Sequence, residues 1–311
     1  MKAAQINEYG KDVIEIIQDA KVPELAPGKV LVKVHTASVN PIDWKMSEGY
    51  MSQWKKLSFP QTLGGDFTGT VTDVGEGVTQ YEKGDDVYGS GIILAGGSGA
   101  FAEYLVTNEK LISKKPEKAN NMEAAALPLV AVSAWDAISN KMDLKKGQKI
   151  LIHGGSGGIG SIAIQIAKYL GAYVATTARK DKTEYLKKLG ADEIIDYRNE
   201  RFEDRLQDYD AVFDTVGGDT YRRSFQVLKI GGIIVSMLEQ PDTELMEKYK
   251  VTALGQLTKI NSEDLKSLAE LYDKGLITVN IDRAFPLDKA REALKYQRDS
   301  SVKGKVVIEI D

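Results

Sequence analysis

The stretch Lys149-Ile-Leu-Ile-His-Gly-Gly-Ser-Gly-Gly-Ile-Gly-Ser-Ile-Ala-Ile-Gln-Ile-Ala-Lys168 leaves this chain few ways to fold. Ile150 to Ile152 reads as a short buried strand. Gly155, Gly157 and Gly160 follow at the spacing G-x-G-x-x-G, and Ile162, Ile164, Ile166, Ala167 and Leu170 then give a helix apolar most of the way round. Strand, glycine turn and helix in that order form a dinucleotide fingerprint. Glycine allows the sharp turn and lets a pyrophosphate approach the backbone. The helix start offers unpaired N–H groups and the positive end of its dipole to that anion.

A length of 311 residues suffices for two ordinary domains. With 42% hydrophobic and 28% charged residues, the composition is that of a soluble globular protein. A net charge of -4 argues against nucleic acid as the main partner, because phosphate binding needs a basic face. The chain has no cysteine, which excludes disulfides, thiolate nucleophiles and cysteine-ligated zinc. Met1-Lys-Ala-Ala-Gln-Ile lacks a secretory apolar core, and no segment reaches the ~18 apolar residues of a membrane span. The expectation is a cytoplasmic protein without a membrane partner.

Residues 1 to about 120 read as β-rich. Lys29 to Thr36 alternates apolar and polar side chains, Val13 to Ile17 and Asp86 to Tyr88 are shorter strands, and Leu63 to Val74 carries strand signals broken by glycines. Repeated short strands with glycine turns suggest a partly closed barrel. From residue 121 strand and helix alternate through Tyr173–Thr177, Lys182–Leu189, Glu193–Asp196, Ala211–Asp214, Thr220–Leu228 and Ile233–Ser236, the pattern of a doubly wound parallel sheet. Beyond about residue 262 come a helix over Glu263–Lys274, a strand over Ile277–Ile281, a helix over Leu287–Gln297 and a strand over Lys305–Ile310. Two short strands and two helices make a poor core alone, so this tail is expected to return to the first domain. The expected division is 1–120 with 263–311, against 121–262.

NAD-binding folds typically place an acid about 20 residues after the glycines, where it holds the ribose 2′-OH. Here the second strand ends Ala175-Thr-Thr-Ala-Arg-Lys-Asp-Lys182, with no acid at its end. Arg179 and Lys182 suit a 2′-phosphate, and Thr177 adds a hydroxyl. Asp181 reads as the N-cap of the helix that follows.

Several further segments carry a resemblance: Ala37-Ser-Val-Asn-Pro-Ile-Asp-Trp-Lys45, Gly64-Gly-Asp-Phe-Thr-Gly69, Val74-Gly-Glu-Gly-Val78, Lys83-Gly-Asp-Asp-Val87, Gly99-Ala-Phe-Ala-Glu-Tyr104, Ala124-Ala-Ala-Leu-Pro128, His153 to Gly160, Leu189-Gly-Ala-Asp192, Asp214-Thr-Val-Gly217 and Lys303-Gly-Lys305. In these the chain resembles the zinc-independent medium-chain dehydrogenase/reductases, the quinone oxidoreductase and enone reductase type to which zeta-crystallin is related. The resemblance implies an α/β protein with a GroES-like, β-rich catalytic domain and a Rossmann domain. It also implies NADPH as cofactor, a homodimer, and hydride transfer to a small quinone or enone. A medium-chain enoyl or alkenal reductase, or a dinucleotide-binding protein without turnover, is the alternative on the same fold.

By the same resemblance Asn40 lies beside the nicotinamide and the substrate carbonyl, and Lys45 polarises that carbonyl or supplies a proton. The cofactor set it implies is Asn40, Val130, Ser133, Gly155, Ser156, Gly157, Gly158, Ile159, Gly160, Thr177, Arg179, Lys182, Tyr197, Val216, Met237 and Lys305. Lys45 is expected in the turn after Asn40-Pro41, with Asp43 an architectural hydrogen-bonding residue and Trp44, Tyr50, Trp54 and Phe67 either about an apolar pocket or packed as aromatic core. The zinc-dependent branch carries Cys near the position of Asn40 and Gly-His-Glu where this chain has Gly64-Gly65-Asp66. With both metal ligands replaced and only His35 and His153 in the chain, no metal is expected.

Overall fold

The alternation at Lys29–Val34 has its physical counterpart. Val30, Val32 and Val34 are wholly buried, while Lys29, Leu31 and Lys33 stay half-buried on the other face. The computed structural model describes residues 1–310. In chain order its strands and helices begin β1 Ala3–Ile6, β2 Glu15–Ile17, β3 Lys29–Val39, α1 Pro41–Ser47, β4 Gln61–Thr62, β5 Asp66–Val74, β6 Asp86–Ser90, β7 Tyr104–Asn108, β8 Ile112–Lys114, α2 Asn121–Ala125 and α3 Pro128–Trp135. They continue β9 Lys149–His153, α4 Gly158–Tyr169, β10 Tyr173–Ala178, α5 Thr183–Lys188, β11 Glu193–Asp196, β12 Tyr209–Asp214, α6 Gly218–Ser224, β13 Leu228–Ser236, α7 Thr243–Tyr249 and β14 Thr252–Gly255. The last are α8 Ser262–Asp273, β15 Ile281–Pro286, α9 Ala290–Asp299 and β16 Lys305–Glu309. Among the described residues no helix is long and apolar enough to cross a membrane.

The chain divides into two units. The first comprises Met1–Leu129, Ile260–Gly275 and residues 279–310; the second comprises Val130–Lys259 and Leu276–Thr278. In the first, a seven-stranded sheet runs β15-β16-β3-β5-β6-β8, with β7 also on β3. β3 is long enough to pair β7 along its first half and β16 along its second. A separate sheet, β2-β1-β4, joins through a bridge from Ala3 to Ala102. Phe67, Phe101, Leu105 and Ile112 form the middle of this core. The tail completes the sheet, because β16 pairs antiparallel with the end of β3.

The second unit holds a six-stranded, wholly parallel sheet in the order β11-β10-β9-β12-β13-β14. Counted from β9 this is 3-2-1-4-5-6, the order of a dinucleotide-binding fold whose ligands sit at the carboxyl ends of the strands. β9 is buried on both faces, as a central parallel strand must be.

Three sequence expectations shift. The helix Asn121–Ala125, placed with the nucleotide domain, belongs to the first unit: its buried Ala124 and Ala125 let it pack closely on β3 and β5. The strand expected over Ile277–Ile281 is instead β15. Thr278 gives its N–H and hydroxyl to the Gln165 side chain at 2.9 and 3.0 Å, so its backbone serves a side chain rather than a sheet neighbour. α7 and β14 went unread between Ser236 and the tail.

Candidate functional site

Antiparallel pairing brings three distant segments together in the first unit. Ser38 at the end of β3 faces Asp66 at the start of β5, and Val39 faces Val306 next to Lys305. Asn40 follows β3 in an extended conformation (φ -123, ψ 155), as a residue before proline should, and Pro41 opens α1. The Asn40 amide lies between opposite charges. Its Nδ2 donates to Asp66 Oδ2 at 2.8 Å, and its Oδ1 accepts from Lys305 Nζ at 2.5 Å. An ammonium only donates and a carboxylate only accepts, so these neighbours fix which way the amide points. Lys305 also donates to the Val39 carbonyl at 2.8 Å, and Asp66 Oδ2 accepts from Leu129 N at 3.2 Å and Ser38 Oγ at 3.4 Å. Asp43, on the first turn of α1, accepts the Asn40 N–H at 2.7 Å.

All four side chains are buried: Asn40 is 1% exposed, Asp43 0%, Asp66 1% and Lys305 4%. Burial pushes the Asp66 carboxyl up, while Lys305 and the three donors pull it back. Burial pushes the Lys305 ammonium down against the pull of Asp66 and Asp43. Asn40, expected beside the reacting atoms, is therefore a wedge inside a charged network. Lys305, expected at the cofactor, gives two of its three donors to Val39 and Asn40.

Lys45 is not in a turn but within α1, half-buried, with its Nζ 5.6 Å from the centre of the Trp44 ring. At ~100° per helical residue, five positions carry it well round from Asn40, and it stands outside the network. Of these aromatics, Phe67 follows the core-packing alternative, wholly buried in the core of the first unit. Tyr50 and Trp54 are 66% and 81% exposed, and Tyr50 meets Trp44 edge-on at 6.2 Å.

In the second unit, the glycine turn bridges β9 and α4. A Cβ on Gly155 would lie 2.0 Å from Thr176 Oγ1, and one on Gly160 would lie 2.3 Å from the Gly154 carbonyl, so both positions exclude any side chain. Gly157 differs: its nearest neighbour would be 3.4 Å away. It is the N-cap of α4, and no side chain caps that helix. Its first turn, Gly158 to Gly160, offers backbone N–H groups to an anion. Ser156, Gly157, Gly158 and Ile159 are half-buried, and the cradle fits a pyrophosphate.

Arg179 directly follows β10, Lys182 lies in a single turn of 3₁₀ helix, and Tyr197, 55% exposed, directly follows β11. Asp181 is not a helix cap: α5 takes Lys182 as its N-cap residue. The Asp181 carboxylate sits instead 3.2 Å from Arg179 Nε and 3.4 Å from Lys182 Nζ. Thr177 also differs from expectation. Ser224 donates its one hydroxyl proton to the Thr220 carbonyl at 2.7 Å, so His153 Nε2, at 2.9 Å, is the donor to Ser224. Burial holds His153 neutral, lowering it to about 3, with the Arg223 charge adding to the effect. Its Nδ1 then accepts, and the Thr177 hydroxyl 3.0 Å away spends its proton there. Thr177 has no proton left for a phosphate.

Val130 and Ser133 are buried on α3, where Ser133 Oγ lies 2.6 Å from Thr258 Oγ1. Val216 is 49% exposed and Met237 half-buried, at the carboxyl ends of β12 and β13. Those ends are tied by Asp214, which accepts from Val216 N and Gly217 N, both at 3.0 Å, and from Ser236 Oγ at 2.7 Å. Asp214 and Asp66 were missed as site residues. The signal for Asp66 was its place in Gly-Gly-Asp, where the zinc branch carries Gly-His-Glu.

The donor set does not fit zinc. Gly65 has no side chain, the Asn40 amide is engaged at both ends, and one of its partners is the Lys305 ammonium, a group that repels a cation. Among the described residues no three His, Cys, Asp or Glu side chains cluster as metal ligands.

A zinc-binding dehydrogenase model matches residues 189–308, and an alcohol dehydrogenase GroES-like domain matches residues 26–117. The chain is 33% identical to a mitochondrial NAD(P)H oxidoreductase of Mus musculus over 356 aligned positions, covering all of this chain and 89% of that protein. It is 36% identical to the 2-methylene-furan-3-one reductase of Solanum lycopersicum, covering 99% of this chain and 79% of that one. Among solved structures, the quinone oxidoreductase of Coxiella burnetii superposes with a TM-score of 0.93 at 35% identity, covering 100% and 99% of the two chains. The mouse relative is a mitochondrial protein, so it lends no support to a cytoplasmic address.

Proposed function

The chain belongs to the medium-chain dehydrogenase/reductase family, and on that premise we propose that it is a zinc-independent, NADPH-dependent reductase of quinones or α,β-unsaturated carbonyls. The observation that carries this reading is the Asn40–Asp66–Lys305 network. It sets an amide between two opposite charges at sequence positions where the zinc-dependent branch carries its Cys and its Gly-His-Glu. Without a Lewis acid, alkoxide formation is poorly served. Conjugate addition spreads its charge onto one carbonyl oxygen, which hydrogen bonds can stabilise.

NADPH, when bound, supplies the hydride. The glycine turn and the start of α4 hold the pyrophosphate, Arg179 and Lys182 the 2′-phosphate with Tyr197 beside it, and Val130 and Ser133 the nicotinamide ribose. Lys45, half-buried on α1, donates a hydrogen bond to the oxygen on which negative charge develops. A proton then completes the enol or quinol. The reading includes a homodimer in the cytoplasm, which sedimentation and fractionation test.

The direct experiment is NADPH oxidation against a panel of para-quinones and linear enones, using cofactor deuterated at the nicotinamide C4. Deuterium on the β-carbon of the reduced enone is the expected result. No turnover with any member would leave a dinucleotide-binding protein without catalysis.

A further inference from the structure

The three ionisable groups of the first unit's network are partnered unequally. Asp66 Oδ2 accepts from three donors, and Lys305 donates to two oxygens. Asp43 has one donor, the Asn40 N–H on Oδ2; its Oδ1 is buried with no hydrogen-bond partner. A buried carboxylate with a bare oxygen is far costlier than a buried neutral acid. Charge counting agrees. Asp66 and Lys305 balance each other across Asn40, so an ionised Asp43 would leave one uncompensated negative charge in the interior. The charges that face Asp43 from neighbouring elements are Asp66 of β5 and Lys305 of β16. On α9, which packs against α1, Arg298 reaches Asp12, Glu48 and Asp299 instead, and on α1 itself Lys45 lies over Trp44.

We infer that Asp43 works in its neutral carboxylic-acid form and is a positioning residue: its proton keeps the Asn40–Asp66–Lys305 network uncharged overall, while its other oxygen holds the Asn40 backbone. The consequence for turnover rests on the proposed hydride transfer, because an uncharged network does not oppose the negative oxygen that forms in the substrate. Burial pushes the Asp43 carboxyl up to about 7; Asp66 adds to this, while the Asn40 N–H and Lys305 oppose it. Mildly alkaline pH therefore puts a second negative charge into the network and slows the reaction.

Infrared spectra of protein labelled with 13C-aspartate test the protonation without any variant. The expected result is a protonated-carboxyl C=O band at about pH 6 that titrates away by about pH 9 and is absent from Asp43→Asn. No such band, or the same band in Asp43→Asn, overturns the inference. The positioning role is read from kcat with NADPH and a quinone over the same range. The wild type should fall ~10-fold across the alkaline limb as the acid form is depleted, and Asp43→Asn should show no such limb. A band that titrates while both proteins share one alkaline limb overturns the positioning role and leaves the hydride reading intact. Absence of turnover in the wild type would sink the hydride reading, and the infrared band would still decide the state of Asp43.

Discussion

The two candidate sites solve opposite problems. Beneath α1 the first unit packs two carboxyls, an amide and an ammonium away from water, where each hydrogen bond sets the charge of the next. At the carboxyl ends of its strands the second unit leaves a helix start uncapped and two cations, with one anion between them, partly in water. A dry network is expensive to break, whereas a wet cradle is cheap to adjust and affects ligand choice more than stability. Substitutions should divide along that line.

The largest effect belongs to the dry network. Asp66→Asn removes the carboxylate that balances the buried Lys305 across Asn40, and loss of one buried charge partner typically costs up to ~3–5 kcal/mol, less what an ionised Asp43 restores. Urea unfolding should show that loss. The double variant Asp66→Asn/Lys305→Met should recover a good part of it, and equal losses in the single and double variants would break the contrast.

Asp43 should give a smaller effect with a defined sign. Its folded pKa is raised from 3.8 to about 7. Its contribution to stability is thus whole below about 4 and lost as pH rises through about 7, with a slope of at most about 1.4 kcal/mol per pH unit. His153 runs the other way. Lowered from 6.5 to about 3, its contribution is present above 6.5 and lost as pH falls toward 3. The two oppose each other across the acid range, so the informative quantity is the difference between wild type and Asp43→Asn. That difference should shrink as pH rises from 4 to above 7.

In the wet site, Arg179→Ala should weaken NADPH binding by ~10-fold, the scale of one charge-assisted contact, and leave NADH binding nearly unchanged. Equal losses for both cofactors would remove Arg179 from the 2′-phosphate site. Asp181→Asn should act in the opposite sense and more weakly. Freed of an anion that competes with the 2′-phosphate, Arg179 and Lys182 should bind NADPH a few-fold tighter, with a steeper salt dependence.

The same contrast governs what the sequence reveals. The nucleotide unit is legible because its signal is contiguous: strand, glycines and helix follow one another within twenty residues, and the missing acid lies on the next strand. The network beneath α1 is assembled from positions 40, 43, 66 and 305, which only the antiparallel pairing of β3 with β5 and β16 brings together. The motifs name Asn40 and Lys305 but not the contact between them. Thr177 and Asp181 show the other limit. Residue type suggested a phosphate ligand and a helix cap, while a buried histidine took the hydroxyl and two neighbouring cations took the carboxylate. α7 and β14 escaped because Pro241-Asp-Thr-Glu-Leu-Met-Glu-Lys-Tyr-Lys-Val251 shows too little apolar periodicity to mark a further crossover. β15 was displaced by a backbone that a glutamine side chain had already engaged.

On the proposed reading hydrogen bonds and fixed charge, rather than a metal, serve the reaction. Elemental analysis and NADPH turnover on one sample, before and after exhaustive chelation, test it most directly. Zinc far below one equivalent and kcat unchanged after chelation are the expected results. Stoichiometric zinc, with activity lost to the chelator and restored by adding the metal back, would contradict it.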